Sequence, residues 1–232
     1  MQKISSILKQ DWLILILILF GFALGAYFYP SLPDRVPIHW NATGEINGYG
    51  SKLLGSFGLP LINLGLYLMF LVLPYIDPKK KNYADFKSTY QFLKYLIILF
   101  FLGTEVMTLL IASGVIVNKP IFIQIMVSLL FILIGNVMGR FKHNYFVGIR
   151  TPWTLANEEV WRKTHRLAAP LWVLGGVLNI LLAFTGISFN GIGFVVIIAV
   201  ISIVPIGYSY IAYQQIVKRE RERDIKVIDD KQ

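Results

Sequence analysis

The side chains best suited to recognising a partner lie between residues 139 and 166, a polar and aromatic segment flanked by two apolar runs. A simple connection between membrane helices does not need such a composition. The candidate recognition residues are Asn144, Arg150, Trp153, Glu158, Trp161 and His165. Arginine with aromatic and amide side chains is common in sites that bind a peptide, a protein or an anionic group. We therefore expect these residues to converge on a pocket at one mouth of a helix bundle.

A short helix is predicted inside this segment, from near Leu155 to about Arg166. Thr154 or Asn157 can cap its first turn. Two i,i+4 ion pairs are expected on it, Glu158–Arg162 and Glu159–Lys163. The alternative interpretation is an interfacial helix with an aromatic anchor and a salt-bridged surface, with no recognition site.

Glu105 is the acidic residue nearest the middle of an apolar run. A charged side chain there costs about 2.5–3.5 kcal/mol on insertion scales, so it must be protonated, paired or turned toward the bundle interior. The amides that could bond to it are Asn63, Gln124, Asn136 and Asn179. Glu105 and Asn136 are the candidate intramembrane polar residues, either on an ion path or as hydrogen-bonding groups between helices.

His39 and Trp40 are the candidate functional residues of a loop at positions 30–56. A histidine could bind a metal or respond to pH, but one histidine without further ligands is a weak metal signal. Packing at the headgroup level is the alternative that we favour. The chain has no cysteine, which excludes thiol chemistry, and we expect neither a metal nor a cofactor.

The elements that must position these residues are membrane-spanning helices. Hydrophobic residues make up 56% of the 232, and only 15% are charged, against roughly 25% in soluble domains. Apolar runs near the length needed to cross a bilayer lie at Trp12–Tyr29, Phe57–Ile76, Phe92–Val117, Ile121–Met138, Leu167–Ile187 and Ile192–Ile216. The sequence predicts an all-α, polytopic membrane protein with six transmembrane helices.

The distribution of lysine and arginine predicts the orientation of this bundle. With both termini inside, nineteen of the 22 lysines and arginines lie on inward segments, and the three on outward segments are Arg35, Lys52 and Lys119. Such an excess on one side is typical of cytoplasmic segments. The net charge of +9 is therefore explained by topology, and we expect no direct binding of nucleic acid.

Three regions follow from the spans. Residues 1–76 form a first transmembrane hairpin around the extracellular loop 30–56, residues 77–217 form a four-helix region that contains the segment 139–166, and residues 218–232 form a charged cytoplasmic tail. Prolines in the loop 30–56 oppose helix formation, and its asparagines and glycines favour turns. An extended arm followed by tight reversals is expected there.

Several stretches resemble the signature of the SdpI family of membrane proteins. They are Asn136-Val137-Met138-Gly139, the run Asn144–Leu155, Glu158, Val160-Trp161 and Thr164-His165-Arg166. The loop that contains Val36-Pro37-Ile38-His39-Trp40 resembles DUF1648, a domain of unknown function that often precedes the SdpI region. The resemblance covers most of the chain but not the charged tail.

The resemblance implies a multi-pass protein of the bacterial plasma membrane, similar to the immunity factor of sporulation-delaying toxin systems. Such a protein protects its host from a secreted, membrane-active peptide and, when toxin is present, holds a winged-helix repressor at the membrane. The implied partners are membrane lipids, a toxic peptide facing the loop 30–56 and the repressor facing the segment 139–166.

Two other classes of function stay open. A transporter for an ion or small molecule would use Glu105 and the amides, although no broken helices or inverted repeats stand out. A membrane-interface enzyme would use His165, Glu158 and Arg150. Because the sequence contains no HExxH, nucleophile-elbow or Walker motif, we expect no enzyme activity.

Overall fold

The computed structural model describes residues 4–119, 121–185 and 190–229, and predictions for the other positions lie outside the described residues. The long helices, numbered in chain order with the short α5, are α1 (Ile4–Phe28), α2 (Lys52–Ile76), α3 (Lys87–Ala112), α4 (Ile121–Met138), α6 (Glu158–Phe184) and α7 (Asn190–Asp229). The shorter elements are two 3-10 helices (Tyr29–Ser31 and Lys80–Phe86), strands β1 (Arg35–Trp40) and β2 (Ile46–Ser51), and α5 (Pro152–Ala156).

The prediction of six transmembrane helices is confirmed. Within the described residues, six helices are long and apolar enough to cross a membrane. The apolar spans run over Lys9–Ser31, Lys52–Ile76, Lys80–Ala112, Ile121–Met138, Glu158–Phe184 and Gly191–Arg223. The last helix continues to Asp229, so the described part of the charged tail extends a membrane helix.

The helix predicted to end at about Arg166 is longer than expected. It begins at Glu158 and runs without a break to Phe184, because the apolar residues that follow Arg166 continue the same helix. Pro170 lies inside this helix and does not end it. Proline is tolerated in membrane helices, where neighbouring groups can satisfy the freed carbonyl. The predicted cap at Asn157 is confirmed, since its side chain accepts hydrogen bonds from the backbone of Glu159 and Val160.

One of the two predicted ion pairs on α6 forms. The Lys163 ammonium lies 2.7 Å from the Glu159 carboxylate. Glu158 and Arg162 make no ion pair within the described part of the chain.

The loop 30–56 contains a β-hairpin, an addition to the otherwise helical prediction. Strands β1 and β2 pair antiparallel, with Val36 opposite Gly50. At the turn, the Asn41 side chain accepts hydrogen bonds from the backbone of Thr43 and Glu45. Gly44 has a φ of +81°, which glycine adopts readily.

The hairpin packs against one end of the helices, which we call the hairpin end. Val36 is fully buried against Gly55 of α2, where a larger side chain would collide with it. The Trp40 indole donates a 3.2 Å hydrogen bond to Asn118 after α3, and the Gln124 amide of α4 donates a 3.1 Å bond to Ala42. These contacts connect the hairpin to α2, to the end of α3 and to α4.

The helices form two groups of three. Helices α1, α2 and α3 pack together, and α4 and α7 both pack on α6. Two glycines allow α4 and α6 to approach closely: a Cβ on Gly135 would lie 2.9 Å from Trp172, and one on Gly176 would lie 2.7 Å from the Ser128 carbonyl. Small residues at such contacts are typical of membrane helix packing.

The opposite end, which we call the basic end, is formed by the start of α1, the connections 77–86 and 139–157, and the second half of α7. Gln10 of α1 bonds to Gln91 of α3, and Thr151 bonds to Ser209 of α7. The start of α1 and the end of α7 therefore lie on the same side of the bundle. That this side faces the cytoplasm stays a prediction from its positive charge.

Candidate functional site

The connection 139–151 at the basic end folds around the buried side chain of Asn144. Its amide nitrogen donates to the carbonyls of Lys142 at 2.8 Å and Val147 at 2.9 Å. Its oxygen accepts from the backbone N–H groups of Phe146 at 2.9 Å and Val147 at 2.6 Å. Asn144 thus supports the turn, and its hydrogen-bonding groups are already engaged within it.

Trp161 and His165 form the base on which this connection rests. They lie one turn apart on α6, and both are 1% exposed. Their ring centroids are 4.1 Å apart, and the Trp161 indole donates a 2.9 Å hydrogen bond to the Phe141 carbonyl. A neutral His165 ring satisfies both of its contacts, donating from Nδ1 to the Trp161 carbonyl at 2.8 Å and accepting the Ile149 N–H at Nε2, 3.0 Å away.

Gly148 allows the connection to pass directly over these two rings. Its φ is +118°, in the region that favours glycine. A side chain at this position would collide with His165 and crowd Trp161. Gly148, Trp161 and His165 therefore pack together as one unit, with the backbone of Gly148 against the two rings.

The short helix α5 begins with a capping box. The Thr151 hydroxyl accepts the Thr154 N–H at 3.1 Å, and the Thr154 hydroxyl accepts the Thr151 N–H at 2.8 Å. Thr151 also lies 3.0 Å from the Ser209 hydroxyl of α7. Thr154 is therefore the third residue of α5, not the cap of α6 that the sequence suggested as one option.

Asp77 and Asn82 attach the connection 77–86 to the connection 139–151. The sequence reasoning missed both residues. The buried Asp77 carboxylate accepts hydrogen bonds of 3.0 Å from the Tyr83 hydroxyl and from the Tyr145 N–H. Asn82 donates a 2.7 Å hydrogen bond to the His143 carbonyl. An aspartate directly after an apolar span and before Pro78 was the available signal, but its partner lies 68 residues away.

His143 is buried at the centre of these contacts. Its Nε2 atom donates a 3.1 Å hydrogen bond to the Leu155 carbonyl, and its ring lies 5.3 Å from that of Trp161. Burial lowers the pKa of His143, and the positive charge of Lys79 acts in the same direction. The fold therefore favours the neutral imidazole.

The six predicted recognition residues do not all meet in one pocket. Arg150 is exposed and donates a 3.1 Å hydrogen bond to the Tyr145 carbonyl. Trp153 packs on Tyr210 of α7, with ring centroids 5.0 Å apart. Glu158 and Trp161 line an open cavity of about 470 Å³ that includes neither Arg150 nor Trp153.

Within the bundle, Glu105 is fully buried and neither carboxylate oxygen has a hydrogen-bond partner among the described residues. It packs against α1, where a Cβ on Gly21 would lie 2.8 Å from its Oε2 atom. None of the four predicted amide partners bonds to it. Asn63 donates to the Ile98 carbonyl, and Gln124 donates to the Ala42 carbonyl. Asn136 is exposed near the end of α4, and the buried Asn179 amide has no hydrogen-bond partner among the described residues.

An ion pair between Asp11 and Lys94 is the second feature that the sequence reasoning missed. The two charged groups are 2.7 Å apart, with side chains 1% and 7% exposed. Gln91 donates a further 2.6 Å hydrogen bond to the carboxylate. Asp11 lies at the edge of the first apolar run, where charged residues are common, and its partner Lys94 lies 83 residues away, so only the fold reveals the pair.

At the hairpin end, His39 is exposed and its Nδ1 atom lies 2.5 Å from the Asn47 side-chain oxygen. Trp40 is half-buried against Asn118 and lines a small apolar groove. No group of three or more potential metal ligands occurs among the residues that the structure describes.

Comparison with known proteins identifies the family. The SdpI/YfhL protein family matches residues 140–209, which include the connection over Trp161 and His165, and DUF1648 matches residues 16–64, which include the hairpin. Immunity protein SdpI of Bacillus subtilis (strain 168) is 30% identical over 205 residues, covering 88% of this chain and 94% of that protein. No solved structure matches the chain. The chain therefore belongs to the SdpI/YfhL family, as a multi-pass protein of the bacterial plasma membrane.

Proposed function

We propose that this protein is a membrane immunity protein that protects the cell carrying it from a membrane-active toxic peptide. The observation that carries the proposal is the 30% identity to Immunity protein SdpI over 94% of that protein's length. A relationship over 88% of this chain supports a shared activity better than a match to one motif would. It also supports a role that is not enzymatic.

The hairpin end is the surface that we assign to the peptide. His39 and Trp40 lie on strand β1, beside an apolar groove of about 240 Å³. The groove is lined by the hairpin, by α2 and by Thr104 and Thr108 of α3. A membrane-active peptide carries apolar side chains that such a groove can hold, and the low positive charge of this side suits the outside of the cell.

We assign the second activity, holding a winged-helix repressor at the membrane, to the basic end. Arg150 and Trp153 support this assignment because they lie within or just after the connection 139–151, which is anchored on Trp161 and His165. The Arg150 guanidinium is exposed, with one hydrogen bond to the Tyr145 carbonyl. A rigid base beneath an exposed arginine and an aromatic ring suits recognition of another protein.

The immunity function is tested by membrane depolarisation in sensitive cells exposed to a sporulation-delaying-type peptide, with and without this protein at verified levels. Retained membrane potential is the expected result. Trp40→Ala should reduce protection, whereas Tyr27→Ala, which removes an exposed aromatic ring outside the groove, should not. Collapse of the potential at the same rate in both cell types would remove the immunity function for that peptide.

Proton or ion transport is the second candidate, and Glu105 is the observation that favours it. A buried carboxyl group without a partner is a common feature of intramembrane ion and proton paths. Flux into proteoliposomes that is lost in Glu105→Gln would support transport. Equal flux through empty and protein-containing vesicles would reject it.

A further inference from the structure

We propose that the basic end carries a binding site for a phosphate ester that bears hydroxyl groups, of the glycerophosphate type. The site is the cavity of about 470 Å³ between the start of α3, the connection after α4 and the first turns of α6. Four cationic residues line it: Arg140, Lys142, Arg162 and Arg166. The size is within the range of pockets that hold small ligands.

The lining of this cavity carries more positive than negative charge, with four cationic residues against the two carboxylates of Asp85 and Glu158. None of the four cationic side chains makes an ion pair in the part of the chain that the structure describes. Arg162 and Arg166 are both exposed and lie one turn apart on α6, an arrangement in which like charges repel. A bound anion would offset this repulsion.

The floor of the cavity is rigid and therefore suited to holding a ligand in one orientation. It is formed by Phe141, His143 and Trp161, all of them buried. The indole of Trp161 is fixed by its 2.9 Å hydrogen bond to the Phe141 carbonyl. His143 is fixed by its hydrogen bond to the Leu155 carbonyl, so the floor needs no rearrangement on binding.

The side chains on the rim select the class of ligand. Arginine presents a planar set of donors that matches the oxygens of a phosphate group. Asp85 and Glu158 also line the cavity, and neither forms an ion pair among the described residues. Carboxylates accept hydrogen bonds from hydroxyl groups, so a phosphate that carries hydroxyls satisfies both kinds of side chain.

Two sources could supply this chemistry. Helix α4 ends at Met138, two residues before Arg140, and Arg162 lies in the second turn of α6. The cavity is therefore at the level where these two membrane helices end. Lipid phosphates occupy that level in a bilayer, and basic pockets there bind lipid headgroups. The ligand is then either the headgroup of phosphatidylglycerol or a soluble glycerol phosphate.

The test is thermal unfolding of the purified full chain in a neutral detergent, titrated with dioctanoyl phosphatidylglycerol, dioctanoyl phosphatidylcholine or glycerol 3-phosphate. We expect phosphatidylglycerol to raise the Tm and phosphatidylcholine to leave it unchanged. In Arg162→Gln/Arg166→Gln, the half-saturating concentration should rise roughly tenfold or more, because charge-assisted hydrogen bonds are lost. The matched control is Arg221→Gln/Arg223→Gln, which removes the same charge from α7 outside the cavity.

Each result decides the proposal. A shift with phosphatidylglycerol alone supports the lipid source, and a shift with glycerol 3-phosphate supports the soluble source. Equal shifts with phosphatidylcholine, no shift with either phosphate ester, or an equal loss in the control variant would overturn it. If the double variant does not purify in folded form, Lys142→Gln is titrated in its place, and an unchanged half-saturating concentration there would count against the site.

Discussion

Gly148 lies directly over the ring of His165, and the two residues fit together only because position 148 has no side chain. The next residue, Ile149, donates a hydrogen bond from its backbone N–H to His165. The connection between α4 and α5 is thus held on α6 by one close approach and one hydrogen bond.

Replacement of Gly148 by alanine should destabilise the protein by about 2–4 kcal/mol, because the new methyl group meets His165 and the backbone has a φ unfavourable for alanine. The measurement is the Tm in lipid nanodiscs. Gly114→Ala is the matched control, since Gly114 has a φ of +76° with nothing within 4 Å of the added atom. It should lose only the conformational part, about 1–2 kcal/mol. Equal losses in the two variants would show that the His165 contact does not matter.

Breaking the Asp11–Lys94 pair from one side should cost about 3–5 kcal/mol, because the remaining charge stays buried without a partner. We expect Asp11→Leu to show this loss and Asp11→Leu/Lys94→Met to recover most of it. Thermal unfolding of both variants in nanodiscs measures the difference. Glu159→Gln, which breaks the exposed pair with Lys163, should cost less than about 1 kcal/mol. A double variant no more stable than the single one would contradict the interpretation.

Acidification should destabilise the protein partly through His143. Its pKa in the fold is lowered from the ordinary 6.5, so the neutral ring stabilises the fold fully above that value. This stability is lost as the pH falls through 6.5 toward the lower pKa of the folded state. The Tm should therefore decrease more in the natural protein than in His143→Gln between about pH 7.5 and about pH 5.5. Glutamine can still donate a hydrogen bond, and identical pH profiles would exclude this contribution.

Arg150→Ala should separate the two proposed activities. Because the side chain is exposed and makes one hydrogen bond to the Tyr145 carbonyl, its loss should change stability by no more than about 1 kcal/mol. We expect a reporter for repressor release to lose its response to toxin while protection is kept. Arg221→Ala, an exposed charge on α7, is the control and should keep both. Loss of both activities at a normal protein level would reject the separation.

Features that depend on neighbouring residues are predictable from the sequence alone. The six apolar runs predict the spans, Asn157 is one of the two caps that the sequence offers, and the four-residue spacing of Trp161 and His165 places them on one face of a helix. These features follow from hydrophobicity and helix periodicity, which act over a few turns of one chain segment.

Which distant side chains meet is visible only in the folded protein. Asp77 bonds to Tyr145, Asp11 pairs with Lys94, and Arg150 does not line the cavity that Glu158 and Trp161 line. The position of the β-hairpin also depends on the fold, because Val36 of β1 packs on Gly55 of α2. These contacts depend on how whole helices pack. Local periodicity contains no information about partners 68 residues apart, as Asp77 and Tyr145 are, or 83 apart, as Asp11 and Lys94 are.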